Sequence, residues 1–178
     1  MSLFRGAAVT VALAVAMTGS ASVAVDAAPA KPNVNLSVKN GVPVTEADLP
    51  ANAPPAMREA VKATNSPRAN FAGWPAGCWL YLDLWAENQR TEFVFQWDSN
   101  LVVYVDGSPR WDSKTYNGGW SICYQSDGNV VIYSRDGVAL WDTKTWGNPG
   151  DWIYVQPDSN VVIYSADNRA LWDTKTWR

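Results

Sequence analysis

At 178 residues the chain has room for one domain of ordinary size, or a smaller domain with appendages. Formal charge is −3, and residues 71–178 carry eight Lys and Arg against 13 Asp and Glu, which makes this half of the chain a poor partner for nucleic acid. Histidine is absent, which removes imidazole base catalysis, Ser-His and Cys-His dyads and most zinc sites.

In chain order, residues 1–24 read as a secretory signal. Arg5 supplies the positive end, residues 7–17 form an apolar run, and Ser22-Val23-Ala24 is the cleavage sequence. The run is too short to span a bilayer, so the expectation is a secreted protein without membrane insertion. Residues 25–70 are rich in Ala, Pro and Asn and contain no aromatic residue. Such a stretch buries too little apolar surface to offset its ordering entropy and reads as a linker or pro-segment. Within it, residues 55–62 have the pattern of a short helix with Pro55 in its first turn, marginal on its own.

All 11 Trp and all seven Tyr lie beyond residue 70, so the core belongs to residues 71–178. There the chain writes one sentence three times: Gln-x-Asp-x-Asn-x-Val-x-Tyr at Gln96, Asp98, Asn100, Val102, Tyr104; at Gln125, Asp127, Asn129, Val131, Tyr133; and at Gln156, Asp158, Asn160, Val162, Tyr164. Each copy is followed by a second echo, Trp111-Asp112-Ser113-Lys114-Thr115-Tyr116, Trp141-Asp142-Thr143-Lys144-Thr145-Trp146 and Trp172-Asp173-Thr174-Lys175-Thr176-Trp177. Two echoes in step define a structural repeat of about 30 residues. Short β-branched and aromatic runs between turn signals such as Arg135-Asp136-Gly137 and Gly147-Asn148-Pro149-Gly150 argue for an all-β fold. The matching Trp111, Trp141 and Trp172 are expected to meet on a pseudo-threefold axis. In an exported chain Cys78 and Cys123 default to one disulfide.

In a single straight strand the five shared residues would spread over about 26 Å, too long for one sugar ring. Asp-Ser-Asn and Asp-Gly-Asn are turn formers, however, and a bend there draws Gln, Asp, Asn and Tyr around a floor of Val. Asp accepts hydrogen bonds from hydroxyls, Asn and Gln donate and accept, Tyr does either, and Val offers an apolar patch to the C–H face of a pyranose. The set suits a neutral polyol. One Asp per motif is too few for a glycosidase pair, and Asp-x-Asn without a following Glu is too few for a calcium loop. The implied chemistry is binding, without catalysis, cofactor or metal. Against it stands the plainer reading in which Asp-x-Asn is only a turn and Gln only closes a hairpin.

The triple Gln-x-Asp-x-Asn-x-Val-x-Tyr motif, each copy trailed by an apolar-Trp segment, resembles the bulb-type mannose-binding lectins of monocot plants, over residues 71–178. The resemblance implies a β-prism II fold, with three four-stranded sheets about a pseudo-threefold axis. It further implies mannose-type glycans as partners and a homodimer formed by exchange of C-terminal strands. By position it assigns the Asp and Asn of each motif to the axial 2-hydroxyl, Gln to the 3-hydroxyl, Tyr to the 4-hydroxyl and Val to the ring carbons. Two departures stand out: Cys78 lies well before the first motif, and Trp97, Ser126 and Pro157 differ at the first variable position. A lectin-like antibacterial protein docking on a cell-surface polysaccharide is the alternative expectation.

Overall fold

The computed structural model describes residues 37–64, 77–86 and 88–178; the expected signal segment, residues 1–24, lies outside them. The strands are β1 (Ser37–Pro43), β2 (Gly77–Trp85), β3 (Thr91–Phe95), β4 (Leu101–Val105), β5 (Ser108–Asp112), β6 (Ser121–Tyr124), β7 (Val130–Tyr133), β8 (Ala139–Asp142), β9 (Trp152–Val155), β10 (Val161–Tyr164) and β11 (Ala170–Asp173), with helix α1 at Pro55–Thr64.

Each repeat is an antiparallel meander: β3-β4-β5, β6-β7-β8 and β9-β10-β11. Strict alternation decides what each strand buries. Leu101, Val103 and Val105 of β4 join Val130 and Ile132 of β7 and Val161 and Ile163 of β10 in one central core. The intervening Val102, Val131 and Val162 therefore take the outer faces. All three meanders carry a register shift at the same step, Val103/Tyr104, Ile132/Tyr133 and Ile163/Tyr164, so the repeats share even their irregularity.

Trp111, Trp141 and Trp172 pack edge to face, with ring centroids 5.5–5.8 Å apart and interplanar angles of 64–79°. Three equivalent rings in mutual contact place the pseudo-threefold axis among them. The molecule is an all-β prism of the β-prism II kind. On its first face Leu82–Trp85 of β2 run beside β3 and add a strand to the meander, with β1 paired to β2 beyond them. The opposite end of β2 turns the corner, pairing Gly77, Cys78 and Trp79 with Tyr124, Cys123 and Ile122 of β6. This end of β2 adds a strand to the second face, whereas among the described residues the third face has three strands, β9 to β11. Cys78 and Cys123 face each other across this corner and form the disulfide, which closes a sequence separation of 45 residues.

The composition of residues 25–70 predicts a linker, but residues 37–64 fold onto the prism. β1 lies along β2, with Val42 opposite Tyr81 and Gly41 opposite Leu82. Helix α1 then presents Met57, Ala60 and Val61, spaced at i, i+3 and i+4, to a second core made with Cys78, Cys123, Val131 and Tyr133. The apolar surface that this segment lacks is supplied by the second repeat. On the β6 side of its outer face, Val131 and Tyr133 have the small Cys123 and Ser121 opposite them. At the corresponding places the third repeat has the bulky Tyr154 and Trp152. The hollow left by two small side chains is where α1 sits. Asn52 Nδ2 fastens the approach by donating to the Asp136 carbonyl at 2.6 Å. Gly137 (φ +75°) admits Pro54, whose Cδ would stand only 3.2 Å from any Cβ there.

Candidate functional site

The turn that opens each motif is built in one way. Gln96 N–H donates to the Asn100 carbonyl and Ser99 N–H to the Gln96 carbonyl, both at 2.9 Å. The residue before Asn is in the left-handed region: Ser99 at φ 68°, Gly128 at 92° and Ser159 at 79°. Asp98, Asp127 and Asp158 hold the bend by accepting the Asn N–H on Oδ1 at 2.9–3.0 Å. The bend gathers the motif. Gln96, Asp98, Asn100, Val102 and Tyr104 line one shallow depression together with Pro109, Arg110, Trp111 and Asp112.

Across the depression Gln96, Gln125 and Gln156 donate from Nε2 to the hydroxyls of Tyr104, Tyr133 and Tyr164 at 2.9, 2.7 and 2.8 Å. The Asn side chains do most of the structural work. Oδ1 of Asn100 accepts from Ser113 Oγ and from Thr115 N–H, both at 3.2 Å, while Nδ2 donates to Asp112 Oδ2 at 3.1 Å. Asn129 does the same with Thr143, Thr145 and Asp142, and Asn160 with Thr174, Thr176 and Asp173. Thr115, Thr145 and Thr176 return a bond from Oγ1 to the carbonyls of Ser99, Gly128 and Ser159 at 2.6 Å. The pocket turn is thus stitched to the Trp-Asp segment.

After these bonds a fixed chemical remainder is left in each copy: Asp Oδ2 and Gln Oε1 as acceptors, one Asn amide hydrogen and the Tyr hydroxyl hydrogen as donors. Val102 lines the first depression and Val162 holds the matching place in the third copy, whereas Val131 packs in the second core with Met57 and Val61.

Asp112, Asp142 and Asp173 are the residues that reading the motif alone misses. The signal was available: the second echo repeats its polar letters, Asp, Ser/Thr, Lys and Thr, as faithfully as its Trp. Asp112 is held below the ordinary carboxylate value by Lys114, 2.9 Å away, and by the Asn100 amide.

The three copies differ in access. Gln125 and Tyr133 of the second are 6% and 5% exposed, because the N-terminal segment packs on this face, whereas their counterparts in the first and third copies remain partly open. Burial accordingly pushes the Tyr133 phenol above its ordinary value, with Asp127 and Asp142 adding to the shift. In the third copy Tyr164 stacks on Trp152 at 4.9 Å, while Gln156 stays accessible.

No family model matches the chain. It is similar to a mannose-specific lectin of Aloe arborescens, 38% identical over 69 residues, or 36% of this chain and 62% of that one. It is also similar to the B-type lectin plumieribetin of Scorpaena plumieri, 40% identical over 61 residues, or 34% of this chain and 53% of that one. Its relatives are mannose-specific and B-type lectins. The chain spans less than two thirds of the length of either relative. Among solved structures, the monomeric monocot mannose-binding lectins of Gastrodia elata align with a TM-score of 0.49 at 36% identity, over 55% of this chain and 88% of theirs.

Proposed function

We propose that the prism is a carbohydrate-binding module for mannose or mannose-bearing glycans, acting through the Gln-x-Asp-x-Asn-x-Val-x-Tyr pockets. The observation that carries this reading is the threefold recurrence of one chemical remainder, two acceptors and two donors above a Val floor. A turn kept only for folding would use the Asp and Asn bonds but has no need for a Gln-Tyr pair across the depression. A pyranose offers alternating donor and acceptor hydroxyls on its edge and C–H groups on its face, which is the complement of that set.

The first and third pockets are the working ones in this proposal, since the second is covered at its Gln125-Tyr133 end. A shallow site of this kind binds one sugar weakly, about millimolar, and strength comes from several sites on one branched glycan. The disulfide and the leader-like residues 1–24 support secretion. Exchange of the C-terminal strand between two copies would double the pockets. In this structure β11 pairs with β10 of its own repeat, and light scattering of the purified chain decides between the two arrangements.

Calorimetric titration of the full chain with methyl α-mannoside, methyl α-glucoside and branched mannan tests the reading. Heat with mannoside and mannan but not glucoside is expected, and it should vanish when Asp98 and Asp158 are both replaced by Asn. A folded protein that gives no heat with mannoside or mannan overturns it.

A further inference from the structure

Beside the first pocket stands a feature that the other two lack. Trp97, the residue between Gln96 and Asp98, is 68% exposed. It is held in place all the same, because its ring stacks on Tyr81, with centroids 5.1 Å apart and planes 16° from parallel. At the corresponding positions stand Ser126 and Pro157, and the Pro157 carbonyl is engaged by Asn88 Nδ2 at 2.9 Å.

The register of the first face locates this pair. Leu82 and Leu84 of β2 point into the core, so Tyr81 and Asp83 lie on the outer face, the face that carries Val102 and Tyr104. Leu82 is opposite Phe95, which puts Tyr81 beside Gln96 one step further along. Across the sheet the outer face therefore runs from Tyr81 and Trp97, through Gln96, to the pocket floor. A large aromatic surface abuts the Gln wall of the first pocket.

An exposed indole leaves apolar area in water, which is ordinarily unfavourable. A partner ring that fixes its orientation makes it a ready surface at little further entropic cost when something is laid on it. The chemistry that suits such a surface next to a polyol site is another pyranose, whose C–H face packs on an aromatic ring while its hydroxyls stay in water. We infer that Trp97, braced by Tyr81, forms a second sugar subsite of the first pocket, so that this pocket takes a disaccharide or longer glycan chain while the third takes a single terminal residue. The inference rests on the carbohydrate reading given above.

The test compares methyl α-mannoside with an α-linked mannotriose, using the full chain, W97A and W97F, each carrying Asp158→Asn to silence the third pocket. The parent is expected to bind mannotriose about three- to tenfold more tightly than the monosaccharide. W97A should erase that preference and leave monosaccharide affinity unchanged, and W97F should restore most of it. Near-UV circular dichroism confirms that each variant is folded. Monosaccharide binding with no preference for mannotriose, or with a preference that W97A leaves intact, overturns the subsite alone. Absence of monosaccharide binding in the protein with all pockets intact overturns the carbohydrate reading and the subsite with it.

Discussion

Asn129 Nδ2 donates to Asp142 Oδ2 across 3.1 Å, and this bond ties the pocket turn of the second repeat to its outermost strand. The same tie joins Asn100 to Asp112 and Asn160 to Asp173. In each motif Asn is thus mainly a structural residue, whereas the neighbouring Asp side chain engages the fold through Oδ1.

That division can be separated by mutation. Asn160→Ala leaves the buried Thr174 hydroxyl, Thr176 N–H and Asp173 carboxylate short of a partner, and should cost about 2–4 kcal/mol of stability. Asp158→Asn keeps a carbonyl oxygen for the Asn160 N–H, so stability should change by less than about 0.5 kcal/mol while sugar binding by that pocket is lost. Urea unfolding beside calorimetry reads both.

The pockets should respond unequally to one substitution. Asp98→Asn and Asp158→Asn should each remove a measurable share of mannan binding, and Asp127→Asn should remove little, because Gln125 and Tyr133 beside it are covered. Equal losses from all three would show that the N-terminal segment leaves the second pocket usable.

The segment itself is held by fully buried side chains, Val44, Met57 and Val61 among them. Met57 has no exposed surface, and Met57→Ala should cost about 2–5 kcal/mol of docking or global stability. Loosened docking would return water to Tyr133, whose phenol is now pushed up chiefly by burial, so it should titrate closer to its ordinary value. Ultraviolet titration of the variant against the parent, with Tyr133→Phe to identify the signal, measures that shift.

Reduction of the Cys78–Cys123 disulfide frees a 45-residue separation and removes the covalent hold at the corner between the first two faces. On the chain-entropy model the loss is about 4 kcal/mol, and the urea midpoint with and without a reductant should show most of it.

Acid should act on Asp112, which with Asp48, Asp106 and Asp167 is held below its ordinary value in the folded state. Its carboxyl is held below 3.8 in the folded state, so near and below that value the unfolded chain binds more protons. The contribution is therefore complete above about pH 4–5 and fades as pH falls through the depressed value. Asp112→Asn should flatten the stability profile in that acid window and leave its slope at neutral pH unchanged, as urea midpoints across the range will show.

What the sequence determined by itself is whatever the repeat makes local. Asp-Ser-Asn and Asp-Gly-Asn bend wherever they stand, because the Asp carboxylate reaches an N–H two residues on. The alternation Leu101-Val102-Val103 settles which side chain is core and which is floor. Threefold repetition then brings Trp111, Trp141 and Trp172 together, since equivalent residues must lie at equivalent distances from a common axis.

Only the tertiary structure decided what breaks the symmetry. By composition, the stretch of residues 25–70 that includes residues 37–64 carries too little apolar surface to order itself. Their burial depends on Ser121 and Cys123, two small side chains far along the chain that leave a hollow beside Val131 and Tyr133. Composition cannot register a hollow, because it is a property of two surfaces at once. The same holds for Tyr81 on β2 and Trp97 in the turn after β3, which only the fold stacks beside one pocket of three.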